Sequence, residues 1–223
     1  MPIWTIHKSL ICIFHKRYIN LICGILKHSK ILCTNRGEPM EFIAGLWNYV
    51  LGNLRTDELP DIALKALQEG YDTPSLRILA GLGNDICEIK EYLKLTLKEM
   101  DIELPKLPNM PYAWLKLIKY YIQQIVDRNV DPIEGVGKII HDVLMKTDFC
   151  KGKDKKYAYD YIGFDKLNGL YYDYDDMTNT LVAVSDKFRE KRIIKIREEI
   201  IRESANFIKN FDIIKNRVLN NIS

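Results

Sequence analysis

The sequence predicts an all-α protein, an irregular bundle of antiparallel helical hairpins closed by a long C-terminal helix. Three observations carry that expectation. From Met40 onward apolar residues recur at steps of three and four, the spacing of one helical face. Helix-start signals stand in front of those runs, notably Thr73-Pro74, Asp85 and Asp131-Pro132. Strand-like alternation is confined to Tyr157, Tyr159 and Tyr161, where Gly163 soon interrupts it.

The elements follow in order. Phe42, Leu46, Tyr49 and Val50 form a first short stripe, stopped near Gly52-Asn53. Thr56 or Asp57 caps a second helix with Leu59, Ile62, Ala63, Ala66 and Leu67 inward, and Gly70 ends it. Proline suits a first helical position, so Thr73-Pro74 opens a third helix carrying Leu76, Leu79, Ala80 and Leu82. Asn84 or Asp85 caps a fourth, striped by Ile86, Ile89, Leu93, Leu97 and Met100. Pro105, Pro108 and Pro111 forbid continuation and predict a rigid connection. A fifth helix runs to about Arg128 on Trp114, Leu117, Ile118, Tyr121, Ile122 and Ile125. Asp131-Pro132 starts a sixth with Ile133, Val136, Ile140 and Leu144 inward. Gly135 and Gly137 weaken it and allow close helix packing. Residues 151–185 read as an irregular insertion holding at most a short helix or hairpin. Asp186 caps the final helix, with Ile194, Ile201, Ala205, Ile208 and Phe211 on one face.

Composition agrees with a globular chain. The 223 residues are 47% hydrophobic and 28% charged, which excludes a disordered or fibrous protein. With 33 basic and 30 acidic residues the net charge is +3, too balanced to indicate nucleic acid or membrane by itself. The distribution is less even. Residues 1–39 hold six Lys/Arg against Glu38, whereas residues 40–150 hold 12 against 17. Residues 151–185 hold 5 against 6, and residues 186–223 hold 10 against 6.

The first 39 residues also contain three of the four histidines and Cys12, Cys23 and Cys33 of the five cysteines. An export signal fails because Lys27 and His28 follow the apolar Tyr18–Leu26 run where small residues are needed. Bulky Ile22 argues against a lipoprotein site at Cys23. Cys12, His15, Cys23, His28 and Cys33 are competent zinc ligands, but their spacing forms no two close pairs flanking a turn. Lysines and histidines interrupt every face of an amphipathic anchor. The segment is therefore expected to be an extension upstream of the native start, or a poorly packed tail. The odd cysteine count, with Cys87 and Cys150 far apart, favours free thiols and a cytoplasmic setting.

No motif in the chain assigns an activity. Gly81-Leu82-Gly83 has Ile86 where a dinucleotide fingerprint needs its third glycine. Gly135-Val136-Gly137-Lys138 lacks the first glycine and the hydroxyl residue of a phosphate loop. No catalytic residue, cofactor or metal is expected. The strongest enzymatic alternative unites His141 and Glu134 with the Asp173, Asp175 and Asp176 cluster. The basic run Lys187, Arg189, Lys191, Arg192, Lys195 and Arg197 is the nucleic-acid alternative. The preferred reading is a non-enzymatic interaction or regulatory protein. Its expected surface is Tyr159, Tyr161, Tyr171, Tyr172 and Tyr174 with Asp173, Asp175 and Asp176, because tyrosine brings contact area at low entropic cost. The partner expected there is another protein.

The stretch Ala63-Leu64-Lys65-Ala66-Leu67-Gln68-Glu69-Gly70-Tyr71-Asp72-Thr73-Pro74-Ser75-Leu76-Arg77-Ile78-Leu79-Ala80-Gly81-Leu82, with the later Asp131-Pro132-Ile133-Glu134-Gly135, resembles a pattern in a group of small bacterial helical proteins without assigned function. The likeness covers residues 58–145. It implies a bacterial, cytoplasmic, helical protein and transfers no catalytic residue, and residues 1–39 have no counterpart in it.

Overall fold

A computed structural model of the chain describes residues 40–104, 111–147, 159–179 and 185–220. The all-α expectation holds there: nine α-helices and no strand occur among the described residues. They are α1 (Met40–Val50), α2 (Leu59–Gln68), α3 (Pro74–Gly81), α4 (Ile86–Glu99), α5 (Pro111–Val126), α6 (Pro132–Lys138), α7 (Asp165–Thr178), α8 (Asp186–Lys209) and α9 (Phe211–Asn220).

Local chemistry sets the starts. Thr73 Oγ1 accepts the Leu76 N–H at 3.3 Å, and Pro74 occupies the first position of α3. Asp85 accepts the Cys87 and Glu88 amides, and Asp131 accepts those of Ile133 and Glu134. Gly70, at φ +90°, supplies the left-handed conformation that releases the chain from α2.

Two apolar clusters form the interior. One gathers Phe42, Leu46, Leu59, Ala63, Ala66, Leu76, Leu79, Ile89 and Leu93, from α1 to α4. The larger joins Ala44 and Trp47 of α1, and Leu51 just beyond it, to residues of α5 through α9. Helix α1 is thus a wall with a cluster on either side. Its hydrophobicity on both faces follows from that position.

Several expectations are corrected. Ile86, placed on the buried stripe of α4, is 51% exposed because Asp85 starts the helix one residue before it and Ile89 sets the inward phase. The sixth helix does not run straight through. It passes at Lys138 into a π-helical turn, Ile139–Val143, and then a 3-10 turn, Leu144–Lys146. Close packing explains the two glycines there. A Cβ on Gly135 would lie 2.5 Å from Ile125 Cγ1, and one on Gly137 2.9 Å from Tyr171 Cε2. Within the supposed irregular insertion, Asp165–Thr178 is a regular helix of 14 residues.

The final helix is capped by Ser185, whose Oγ accepts the Phe188 N–H, rather than by Asp186. Its buried residues are Ile196, Ile200, Ser204 and Phe207, so the inward face is rotated from the expected one and Ile194 is 57% exposed. It also ends at Lys209, and Phe211 begins α9. The Pro105 and Pro108 connection, Tyr157, Cys150 and the whole of residues 1–39 lie outside the described residues.

Candidate protein-docking groove

Helices α7 and α8 pack as an antiparallel pair. Lys166 near the start of α7 meets Glu203 late in α8 at 3.7 Å, and Asp173 is ion-paired with Arg192 nearer the start of α8. This arrangement explains the fate of both charged runs read from the sequence. Asp173 holds Arg192, Asp131 holds Arg197, and Glu199 lies 3.7 Å from Lys195. Three of the six basic residues at the start of α8 therefore have an acidic neighbour within the chain, Lys195 while remaining exposed. Lys187 and Lys191 remain exposed.

The tyrosines divide in the same way. Tyr159, Tyr161, Tyr171 and Tyr174 are half-buried and pack against the larger cluster. Tyr161 donates its hydroxyl to the Arg217 and Val218 carbonyls at 3.3 and 3.2 Å, closing the end of α9. Only Tyr172 of the five is largely exposed, at 47%. Asp175 accepts from the Asn179 side chain at 3.3 Å, and Asp176 stands in solvent.

The members of the acid–base alternative keep separate company. His141 Nε2 lies 3.2 Å from the Tyr171 hydroxyl, with the rings edge to face. Glu134 is exposed in the first turn of α6, while Asp173 is held by Arg192. No three His, Cys, Asp or Glu residues among those described are grouped to hold a metal ion.

A second polar assembly is structural. Buried Asn48 donates to the Ala44 carbonyl at 2.9 Å, and its Oδ1 accepts from Tyr121 at 2.8 Å and from Asn53 at 2.9 Å. Asn53 in turn donates to the Asp142 carbonyl at 2.9 Å and accepts from Lys146. Burial pushes the Tyr121 phenol pKa well above its ordinary value, although its bond to Asn48 opposes this. Through Asn53 the Asp142 carbonyl of the π-helical turn is tied to Asn48 of α1 and, through Asn48, to Tyr121 of α5.

What the α7–α8 pair leaves open is a groove. Two adjoining recesses of about 390 and 370 Å³ share Lys166 and Glu203. The first is lined by Gly169, Leu170, Asp173, Glu199 and Arg202. The second is floored by Leu167, Phe207 and Ile214 and rimmed by Asp165, Asn206, Asn210 and Arg217. An apolar floor under a charged rim is a common anatomy of protein interfaces. The groove residues of α8 are not those expected from sequence. Gly169 in mid-helix was the available signal, because glycine there costs about 0.5–1 kcal/mol relative to alanine.

No family model, curated protein or solved structure matches this chain. No helix among the described residues is long and apolar enough to cross a membrane.

Proposed function

We propose that the chain is a helical protein-interaction module that receives a helix of a protein partner in the groove along α7 and α8. The observation that carries this reading is Gly169. It is exposed, has helical backbone, and a side-chain carbon there would meet nothing within 4 Å. The fold itself has no use for a glycine at this position, unlike Gly135 and Gly137, which are filled against by Ile125 and Tyr171. A missing side chain on the lining of a groove allows another helix to approach closely. The pairing of Asp173, Arg192, Glu203 and Lys166 also supports a docking role, since it removes the acids and bases from both catalytic and phosphate-binding work.

The test is a photo-crosslinking residue at Lys166, with the exposed Leu64 of α2 as control position. A protein adduct is expected at Lys166 and not at Leu64, and Gly169→Leu should abolish it while leaving the helical circular dichroism unchanged. Equal labelling at both positions, or adducts indifferent to Gly169→Leu, would overturn the proposal.

A further inference from the structure

We infer that the helix entering this groove is α8 of a second copy of the same chain, so that two copies pair antiparallel through α8. The inference rests on the groove reading above and names its occupant. Two features of α8 point to it. Its first ten residues, 186–195, contain no buried side chain, and Phe188 and Ile194 are 54% and 57% exposed. Its second half is anchored by Ile196, Ile200, Ser204 and Phe207 and forms one wall of the groove. Phe188 and Ile194 are therefore open to solvent at one end of this helix, while the other end borders the groove.

Charge supplies the orientation. Lys187, Lys191 and Lys195 precede Glu198, Glu199 and Glu203 along the helix. A two-fold axis crossing α8 near Arg197 sets the basic half of each copy against the acidic half of the other, and the contact is self-complementary, as such symmetry requires. Phe188, Lys191, Lys195, Glu199, Glu203 and Asn206 recur at steps of three and four and share one side of the helix. In that register Lys191 faces Glu203 and Lys195 faces Glu199 of the other copy. Phe188 meets Asn206, above the recess floored by Leu167, Phe207 and Ile214. An aromatic side chain seated in an apolar recess is the usual anchor of an interface.

The experiment is sedimentation of the full chain in reducing buffer, from micromolar to near-millimolar concentration, so that thiol cross-links play no part. A mass rising from 26.1 kDa toward twice that value is expected. Phe188→Ala, at an exposed position that the fold does not use, should weaken association by about tenfold or more. Two charge-reversed variants then read the register: Lys191→Glu with Lys195→Glu, and Glu199→Lys with Glu203→Lys. Each should be monomeric alone, and an equal mixture should recover the pair, because reversed charges meet reversed charges on one side and native charges meet on the other. A mass that stays at one chain throughout overturns the inference, even where the Lys166 probe still captures a different protein and leaves the groove reading intact. A pair that survives Phe188→Ala and both reversals overturns it as well.

Discussion

Glu69 closes α2 with one carboxylate oxygen accepting the Glu41 backbone N–H at 3.1 Å and the other buried without a partner. Burial raises its pKa, the more so because Glu41 is close, while the backbone bonds at the start of α1 oppose the shift. Glu99 is the opposite case. The Ser75 hydroxyl and amide donate to it at 2.6 and 3.0 Å, and they hold its pKa below the usual carboxylate value. Linkage turns these directions into opposite pH dependences. A raised carboxylate contributes stability that is complete below its unfolded pKa and disappears as pH rises through the folded one. A lowered carboxylate contributes stability that is complete above its unfolded pKa and disappears as pH falls through the folded one. Denaturant titrations at stepped pH should therefore show wild type losing ground to Glu69→Gln as pH climbs above about 4.5, near where a free glutamate titrates. They should show wild type losing ground to Glu99→Gln as pH drops below the same region. Parallel curves for either pair would contradict the assignment. The caps Thr73, Asp85 and Asp131 were legible in the sequence because each acts within three residues. Glu69 and Glu99 were not, because their partners lie 28 and 24 residues away and only the packed helices bring them together.

At the scale of the helix, one substitution made at two glycines separates packing from propensity. Gly135→Ala forces a methyl group against Ile125, and over-packing of this kind costs about 1–3 kcal/mol. Gly169→Ala adds a methyl group in open space and should stabilise the isolated chain by about 0.5–1 kcal/mol, the propensity difference alone. Thermal or denaturant unfolding of the two variants checks both signs. The same contrast explains which helices could be read. In α5 every residue expected inward is buried, since Trp114, Leu117, Ile118, Tyr121, Ile122 and Ile125 form one uninterrupted stripe. In α8 isoleucines occupy several faces at once, and periodicity alone does not separate the phase through Ile194 from the true one through Ile196 and Ile200. The sequence does not mark α7 as a regular helix because Asp173, Asp175, Asp176 and Gly169 depress its apparent helicity, whereas contact with α8 supplies what its own residues lack. The groove was invisible for the same reason, as it belongs to the pairing of α7 with α8 and to neither alone.

Over the described residues from Met40 on, α1 connects the two apolar clusters. Phe42 and Leu46 enter one, while Ala44 and Trp47 enter the other. From sequence α1 reads as a short one-sided stripe, because burial on two sides needs the rest of the chain to be seen. The buried bond from Tyr121 of α5 to Asn48 of α1 adds a directional tie between the wall and the larger cluster. A helix shared in this way makes the clusters interdependent, since freeing α1 from one removes its support in the other. Leu76 tests this, being fully buried and belonging to the smaller cluster alone. Leu76→Ala should cost about 2–5 kcal/mol, as deletion of a buried leucine side chain does. Trp47 and Trp114 both lie in the larger cluster, so their fluorescence reports on it, whereas far-ultraviolet circular dichroism reports on all the helices. With α1 as a common wall, the mutation lowers the fluorescence and dichroism midpoints together and leaves a single transition. Independent clusters would give a different result. The fluorescence midpoint would stay at its wild-type value while the dichroism curve split in two, and α1 would then be a linker between separately folding halves rather than the element that joins them.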